Sequence, residues 1–516
     1  MGFWKKINPR RSQVRKNISA ERFSRISRLA NTDSLVSILI WLLFVVLYTL
    51  ILSIPIPQAN ILQVIPIAVI VVLISLAGAL YIHHFQKRIS KNHARALVLV
   101  GLFILLLVTT KLGVLSTRLT FWATATAVTT AIIMTIAYDQ RFAIGMSIFY
   151  CLFACLVVEP IESQLTNFYL FLTMAAGATT CCFCLKEIRT RIKLLQVSTL
   201  AAIIVFIMAA ALNFLSQNLN PAGIIRDSAL HAGITLVVGV LIQGLLPLIE
   251  KAFRIATSMT LLDYSDANQR LLKRLHMEAP GTFSHSLLIG SIAEAAAEAI
   301  GRNGLLCRVG AYYHDIGKIN KAGYFVENEL GSASRHKELS PTMSYLIIVG
   351  HVKDGIEMAK EYGLPSVLRQ FIETHHGTTL IEHFYNEAKK QKTKNAKGKT
   401  AEAPSESEFR YPGPKPRIKE AAIVMLADTV ESAVRSLPEV TPTKIEAVVH
   451  NMSMKRLQDG QFDECDMSLR ELSQIEASIS KTLAAHYHGR IAYPKPPDEP
   501  LETESQAEQR EQKNNK

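Results

Sequence analysis

The stretch Arg308-Val-Gly-Ala-Tyr-Tyr-His-Asp-Ile-Gly-Lys318 sets a histidine beside an aspartate in a largely apolar segment. Because successive helical residues point about 100° apart, His314 and Asp315 can reach neighbouring points of one cleft while the flanking tyrosines pack around them. Gly317 either ends that helix or permits another segment to approach closely. Lys318 would set a cation beside the pair, where a phosphate oxygen could be neutralised.

Further candidate metal ligands lie on both sides of this stretch. The full set is His285, His314, Asp315, His351, His375, His376 and Asp428. Imidazole nitrogens and carboxylate oxygens without thiolates suit Mn, Fe, Ni or Zn. The set is larger than one tetrahedral site needs, and it is enough for two metals held about 3.5 to 4 Å apart by a shared carboxylate. Such a pair carries out in-line displacement at phosphorus, so the pattern indicates a phosphohydrolase.

The composition divides the chain into two unlike halves. Of its 516 residues 49% are hydrophobic and 19% are charged, whereas soluble domains average roughly 25% charged residues. These values exclude a disordered, collagen-like or small secreted protein. The apolar residues crowd into the first half, which indicates a membrane region. The cysteines show no paired spacing, so we expect reduced thiols.

Eight apolar runs are long enough to cross a bilayer, which takes about 20 helical residues. They predict a polytopic helical membrane domain over residues 34–250. The runs lie near residues 35–55, 61–82, 96–116, 118–137, 142–158, 165–185, 195–215 and 229–249. The fifth run is the shortest of them.

Loops rich in Lys and Arg alternate with loops that contain few basic residues. A basic segment fills residues 1–33, and further basic clusters follow the second, sixth and eighth runs, whereas Glu159 and Glu162 follow the fifth. Since basic loops stay in the cytoplasm, the pattern predicts that both termini are cytoplasmic. The basic segment would also attract anionic lipid, which makes the bilayer a better partner for it than a nucleic acid. We therefore expect no stable nucleic-acid partner.

Beyond about residue 256 the composition becomes that of a soluble helical domain, expected over residues 256–490. Helical periodicity is plain in 286–300 and 418–437, and strand signals are weak. We expect the lysine-rich stretch 387–410 to be a flexible insertion and residues 493–516 to be a disordered tail. The predicted fold class is all-α, with a helical membrane domain followed by an all-helical cytoplasmic domain.

These motifs resemble the HD phosphohydrolase superfamily and, over nearly all of residues 61–490, the seven-transmembrane HD family of bacterial membrane phosphodiesterases (PgpH-type). The resemblance rests on Glu278-Ala-Pro-Gly-Thr282, Arg308 to Lys318, Tyr411-Pro-Gly-Pro-Lys-Pro416 and Glu420 to Arg435. It implies a multi-pass protein of the bacterial inner membrane that hydrolyses a cyclic dinucleotide, cyclic di-AMP, to linear pApA. A homodimer is a further assembly to test.

The resemblance also implies a role for each ligand. One metal would be held by His285, His314, Asp315 and Asp428, and the other by His351, His375 and His376, with Asp315 bridging the two. The metals would be two divalent transition ions, iron or manganese. Asp315 and Lys318 would be the catalytic residues, and Lys318 would also contact the substrate phosphate.

One departure from the family concerns the first two runs. Full-type members carry a large extracytoplasmic domain there, whereas only residues 55–60 separate the runs in this sequence. Whatever ligand that domain senses in full-type members, we expect that this chain does not sense it with a domain between its first two runs.

Two alternatives stay open. The first is an HD hydrolase of another nucleotide, such as cyclic di-GMP, a dNTP or a guanosine alarmone. Cyclic di-GMP is disfavoured because Gly377, and not glutamate with a Gly-Tyr-Pro signature, follows the histidine pair. The second is a membrane receptor that binds nucleotide without turnover, against which the complete set of ligands argues.

Overall fold

The structure is a computed structural model that describes residues 35–53, 61–86, 89, 92–117, 119–158, 164–185, 190–216, 220–329, 335–395 and 404–488. Within these residues the elements are helical, and the strand pairing amounts to an isolated bridge between Leu380 and Arg410. The all-α prediction is thereby confirmed. Two compact units divide the chain, Met1–Asp263 with Pro365–Val367 and Tyr264–Leu364 with Leu368–Lys516.

Each of the eight predicted apolar runs is helical in the N-terminal unit. The helices are α1 Leu35–Ser53, α2 Ile61–Phe85, α3 His93–Thr117, α4 Phe121–Ala137, α5 Gln140–Val158, α6 Gln164–Cys184, α7 Arg191–Ser216 and α8 Pro221–Phe253. Seven of them are long and apolar enough to cross a membrane, and α4 is apolar but has only 17 residues.

The shortest of these helices is therefore α4, although the fifth run is the shortest apolar run in the sequence. Helix α5 has 19 residues because it starts on polar residues that an apolar run does not count. The carboxylate of Asp139 accepts a hydrogen bond from the backbone N–H of Phe142 at 3.4 Å, at the start of α5.

Helix α8 begins eight residues before the predicted start of the last run. Asn220 caps it, since its side-chain oxygen accepts a hydrogen bond from the Gly223 N–H at 2.7 Å, and Pro221 occupies the first turn. Both residues favour a helix start. Helix α8 carries His231, which is buried with Nδ1 2.7 Å from the Thr124 hydroxyl.

The described chain beyond residue 257 is also helical. Its α-helices are α9 Ser258–Ser265, α10 Arg270–Glu278, α11 Pro280–Ala299, α12 Gly304–Tyr313, α13 Pro341–Glu361, α14 Ser366–Thr374, α15 Glu382–Asn395, α16 Lys419–Arg435, α17 Pro442–Gln458 and α18 Leu469–His488. Short 3-10 segments cover Ile316–Tyr324, Val326–Asn328, Arg335–Glu338 and Glu406–Phe409. Helices α11 and α16 match the two stretches in which the periodicity predicted helix.

Helix α16 lies at the centre of the C-terminal unit. Every residue from Ala421 to Asp428 is buried, and α11, α12, α17 and α18 pack around the helix. A helix that is apolar on all sides belongs in an interior. It therefore carries the carboxylate of Asp428 into a region where an unpaired charge would be costly.

The lysine-rich insertion differs from its prediction. Residues 387–395, expected to be flexible, continue α15 to Asn395, and Glu406–Phe409 forms a 3-10 turn. The reason is that Glu, Lys and Gln are good helix formers even without an apolar face. Residues 396–403, the basic segment 1–33 and the predicted tail 493–516 lie outside the described residues.

Candidate metal centre

Five places in the C-terminal unit supply the candidate ligands. His285 lies on α11, the pair His314-Asp315 directly follows α12, His351 lies on α13, the pair His375-His376 directly follows α14, and Asp428 lies on α16. All of them are buried except His376, which is partly exposed. The fold thus brings together residues that are up to 143 positions apart in sequence.

Asp315 lies between two groups of imidazoles. Its Oδ1 atom is 3.4 Å from Nε2 of both His351 and His375. Its Oδ2 atom is 3.1 Å from Nε2 of His314 and 3.9 Å from Nε2 of His285. Each carboxylate oxygen therefore faces a different pair of histidines, which is the arrangement needed for one carboxylate to be shared by two cations.

The ligand atoms fall into the two groups that the resemblance implies. One group contains His285, His314 and Asp315, the other contains Asp315, His351, His375 and His376, and within each group the ligand atoms lie within 4.8 Å of one another. Asp428 adjoins the first group, since its Oδ1 atom is 3.1 Å from Nε2 of His285 and 3.9 Å from Nε2 of His314. Arg435, seven residues further along α16, lies 3.7 Å from Glu431.

The buried atoms fit divalent cations. Nε2 of His314 and Oδ1 of Asp315 are buried and lack a hydrogen-bond partner among the described residues. A buried polar atom without a partner costs about 1–3 kcal/mol, a cost that metal ligation removes. Nδ1 of His314 faces the Ala311 carbonyl at 2.6 Å, which turns Nε2 toward the cluster. Nitrogen and oxygen donors without sulfur are the set that Mn, Fe and Zn accept.

Gly317 permits a close contact behind the pair. A Cβ atom at this position would lie 1.8 Å from the backbone oxygen of His351. Of its two predicted roles the structure therefore supports close approach, and the helix before it already ends at Tyr313. The contact holds α13 against the 3-10 segment Ile316–Tyr324 and keeps His351 within reach of Asp315.

Lys318 is buried beside the pair as expected, but it has two carboxylate partners. Its Nζ atom is 2.7 Å from Oδ2 of Asp315 and 2.7 Å from Oε1 of Glu327. Burial alone would lower the pKa of Lys318, yet the two carboxylates outweigh burial and raise it. Burial would likewise raise the pKa of Asp315, but the charges of His314 and Lys318 hold it well below its usual range.

The two groups of histidines differ in electrostatics. Burial lowers the pKa of His351 to about 3 and also lowers that of His376, so both imidazoles are neutral at physiological pH, as metal ligands must be. Burial acts in the same direction on His285, but the nearby carboxylates of Asp428 and Glu431 raise its pKa to about 9. The surroundings of His285 therefore favour positive charge.

Sequence reasoning missed three residues at the centre. Glu327 binds Lys318, Glu431 lies 2.9 Å from Nδ1 of His285, and the ring of Tyr411 stacks on His376 with centroids 4.3 Å apart. The signal for Glu431 was its spacing of three residues from Asp428 in an apolar helix. Glu327 carried no comparable signal, and Tyr411 was interpreted only as part of a rigid connector.

The helical unit has an adjacent His-Asp pair, and its aspartate lies between two groups of candidate metal ligands, an arrangement typical of HD domains. Family comparison agrees with this class. Residues 282–433 match the HD domain family, and residues 61–257 match the family described as 7TM receptor with intracellular HD hydrolase. The chain thus resembles this seven-transmembrane HD family over most of residues 61–433, and with its apolar helices it is a membrane protein.

Curated relatives carry a more specific name. The cyclic-di-AMP phosphodiesterase PgpH of Bacillus subtilis is 37% identical over 366 residues, which cover 70% of this chain and 50% of that protein. The cyclic-di-AMP phosphodiesterase PgpH of Listeria monocytogenes is 43% identical over 251 residues, which cover 49% of this chain and 34% of that protein. The matched residues thus span half the length of the first relative and 34% of the length of the second.

A solved structure matches the C-terminal unit. It is the crystal structure of the HD domain of L. monocytogenes PgpH in complex with cyclic di-AMP. The sequence identity is 42%, and the match covers 43% of this chain and 100% of that chain, with a TM-score of 0.41.

Proposed function

We propose that this chain is a metal-dependent phosphodiesterase that hydrolyses cyclic di-AMP to linear pApA. The observation that carries the proposal is the position of Asp315, each of whose carboxylate oxygens faces a different pair of imidazoles. The names of the B. subtilis and L. monocytogenes relatives support the choice of substrate, since both are cyclic-di-AMP phosphodiesterases.

The two groups would hold two divalent ions, iron or manganese. His285, His314, Asp315 and Asp428 would bind the first, and His351, His375 and His376 would bind the second together with Asp315. Such ions supply a nucleophile at neutral pH and neutralise charge on the phosphoryl group. The neutral state of His351 and His376 supports the ligands assigned to the second ion, because only a neutral imidazole binds a metal.

Lys318 supplies the charge that the protein itself brings to the phosphate. Its raised pKa keeps the ammonium charged throughout the physiological range. Asp315 and Glu327 hold Nζ from two sides, so the cation is fixed before substrate arrives. A fixed charge in a buried site stabilises the developing negative charge of a transition state more than a mobile one in water.

We further propose that the protein lies in the bacterial inner membrane with both termini in the cytoplasm. The region matched to the 7TM family, residues 61–257, includes the seven helices α2 to α8, which supports counting the short helix α4 as a span. Helix α1 adds an eighth, and an even number returns the chain to its starting side. A homodimer stays a prediction, which the mass of the detergent-solubilised protein would check.

The test uses the purified full chain in lipid nanodiscs with Mn²⁺. Chromatography of the reaction mixture should reveal pApA from cyclic di-AMP and little turnover of cyclic di-GMP, a dNTP or a guanosine alarmone. Asp315→Asn should lower kcat/KM at least about 100-fold, or about 2.7 kcal/mol of transition-state stabilisation. Asp463→Asn is the matched control, because its exposed carboxylate only contacts Lys415 at 3.2 Å.

Two results would contradict the proposal. Hydrolysis of another nucleotide alone would leave the phosphodiesterase chemistry and reject the substrate. Binding of metal and nucleotide with no product would favour the non-catalytic receptor.

A further inference from the structure

Glu431 is a buried carboxylate in contact with a candidate ligand. Its Oε2 atom lies 2.9 Å from Nδ1 of His285, and only 3% of its side chain is exposed. It follows Asp428 by three residues on α16, so both carboxylates lie on one face of that helix. Because isolated buried charges are costly, a carboxylate in this position needs a compensating partner. The nearest arginine, Arg435, is 3.7 Å away and leaves that need largely to His285.

The two nitrogens of His285 have separate partners. Nε2 faces the centre, at 3.1 Å from Oδ1 of Asp428 and 3.9 Å from Oδ2 of Asp315. Nδ1 faces the opposite way, toward Glu431. A carboxylate that accepts the Nδ1 proton leaves the lone pair of Nε2 available to a metal, fixes the orientation of the ring and increases its basicity.

The neighbouring ligands lack such a partner. Nδ1 of His314 faces the Ala311 carbonyl at 2.6 Å, and Nδ1 of His351 faces the Ile348 carbonyl at 2.5 Å. Nδ1 of His375 likewise faces backbone carbonyls, at 3.0 Å and 3.2 Å. A carbonyl orients a ring but adds no charge. The carboxylate behind His285 therefore distinguishes the group of His285, His314, Asp315 and Asp428 from the group of His351, His375 and His376.

We propose that Glu431 is a positioning residue that gives the first group its higher affinity for a divalent cation. The inference rests on the proposed two-metal centre. It adds that the two sites are unequal, because a carboxylate faces Nδ1 of His285 whereas backbone carbonyls face Nδ1 of His351 and of His375. Glu431 contacts no substrate in this proposal and acts through His285.

The experiment is a Mn²⁺ titration of the full chain in nanodiscs after removal of metal by a chelator. The EPR signal of free Mn²⁺ reports both binding steps without any assay of activity. Glu431→Gln keeps a hydrogen-bond acceptor and removes the charge, and Glu431→Ala removes both. We expect Glu431→Gln to weaken one step about 10-fold and Glu431→Ala to weaken it up to about 100-fold, with the other step changed little.

A matched control exists within the same unit. Glu476 contacts Nδ1 of His450 at 3.1 Å, a carboxylate–imidazole pair like that of Glu431, and His450 is exposed and outside both groups. Glu476→Gln should leave both steps as in the wild type. The midpoint of thermal unfolding in chelator checks that each variant is folded at the temperature of the titration.

The outcomes separate this inference from the proposed function. Unchanged binding in both variants, or equal weakening of both steps, would overturn the role of Glu431. Absence of Mn²⁺ binding by the wild type would overturn the metal centre as well. Two bound Mn²⁺ ions with unequal steps but no hydrolysis of cyclic di-AMP would leave the role of Glu431 standing and reject the proposed function.

Discussion

Lys318 has two roles in the proposed site, one toward the protein's own carboxylates and one toward the substrate. Its ammonium compensates the buried carboxylates of Asp315 and Glu327, and in the proposed function it also contacts the substrate phosphate. Two carboxylates around one ammonium leave a net negative charge that divalent ions can balance. The lysine therefore stabilises the empty centre and remains charged when substrate and metal are present.

The contacts of Lys318 with Asp315 and Glu327 predict the effect of removing its charge. Lys318→Met keeps the length of the side chain and removes the charge, so kcat/KM for cyclic di-AMP should fall about 100-fold or more, as when one preorganised donor is removed from an active site. The measurement is steady-state kinetics of the full chain with saturating Mn²⁺. Lys321→Met is the control, since Lys321 is 44% exposed and contacts Asp354 at 3.6 Å. Equal activity of both variants would remove Lys318 from the catalytic residues.

The ligands were predictable from sequence and their partners were not. His, Asp and their pairing are recognisable by residue type, and a joint set suggests a metal without knowledge of the fold. Glu327 and Glu431 are ordinary glutamates in sequence, and their meaning depends on which buried atom lies opposite. Those contacts, Lys318 with Glu327 and His285 with Glu431, form only when the 3-10 segments and α16 have packed.

At the scale of elements, close packing of α13 against the 3-10 segment Ile316–Tyr324 determines whether the two ligand groups meet. Asp315 belongs to the start of that segment and His351 to α13, and Gly317 is the point of closest approach. A second glycine on α13, Gly355, faces the same contact, with 3.2 Å from its ideal Cβ position to the backbone nitrogen of Gly317.

Gly317→Ala should therefore separate these two elements. Its Cβ would lie 1.8 Å from the His351 oxygen, and backbone cannot yield as a flexible side chain can. We expect a loss of about 3 kcal/mol in the free energy of unfolding of the C-terminal unit, the upper end of overpacking costs. Weaker Mn²⁺ binding should accompany it, because His351 moves away from Asp315. Thermal unfolding and the Mn²⁺ titration measure the two effects.

Gly350→Ala is the control for this substitution. Gly350 lies on the same helix, and a Cβ there would meet nothing nearer than Nζ of Lys321 at 3.8 Å. Since alanine is the better helix former by about 1 kcal/mol, this variant should be as stable as the wild type or more so. If Gly317→Ala were equally stable, the close approach would not be needed for the site.

Element boundaries show where sequence reasoning ends. Apolar runs located the helices α1 to α8, but caps and polar first turns moved some of their starts, as Asn220 does for α8. The helix α15 was missed because its sequence has high helix propensity and no apolar periodicity. The motif 411–416 was recognised in the sequence, but its contacts were not. Tyr411 donates its N–H to the Thr379 carbonyl, and Lys415 donates to the Gly460 carbonyl. These contacts fix the ring of Tyr411 on His376.

For the whole molecule, the decisive quantity is the number of spans, because it sets the side on which the candidate metal centre lies. Helix α4 is short for a span, with 17 residues, or about 26 Å at 1.5 Å per residue. The hydrocarbon core is about 30 Å thick, a mismatch that local thinning of the bilayer can accommodate. If α4 did not cross, every segment after it would change sides.

Reporter fusions distinguish these two topologies. With α4 as a span, alkaline phosphatase fused after Asp139 should be inactive and fused after Glu162 active, and a fluorescent protein at the C-terminus should fluoresce, because basic loops stay in the cytoplasm. A fusion within 55–60, before α4, is the control and should be active in either topology. Since α4 lies between the control and the test positions, activity after Asp139 and none after Glu162 would mean that α4 does not cross. The C-terminal unit would then face away from the cytoplasm, where a cytoplasmic nucleotide could not reach Asp315.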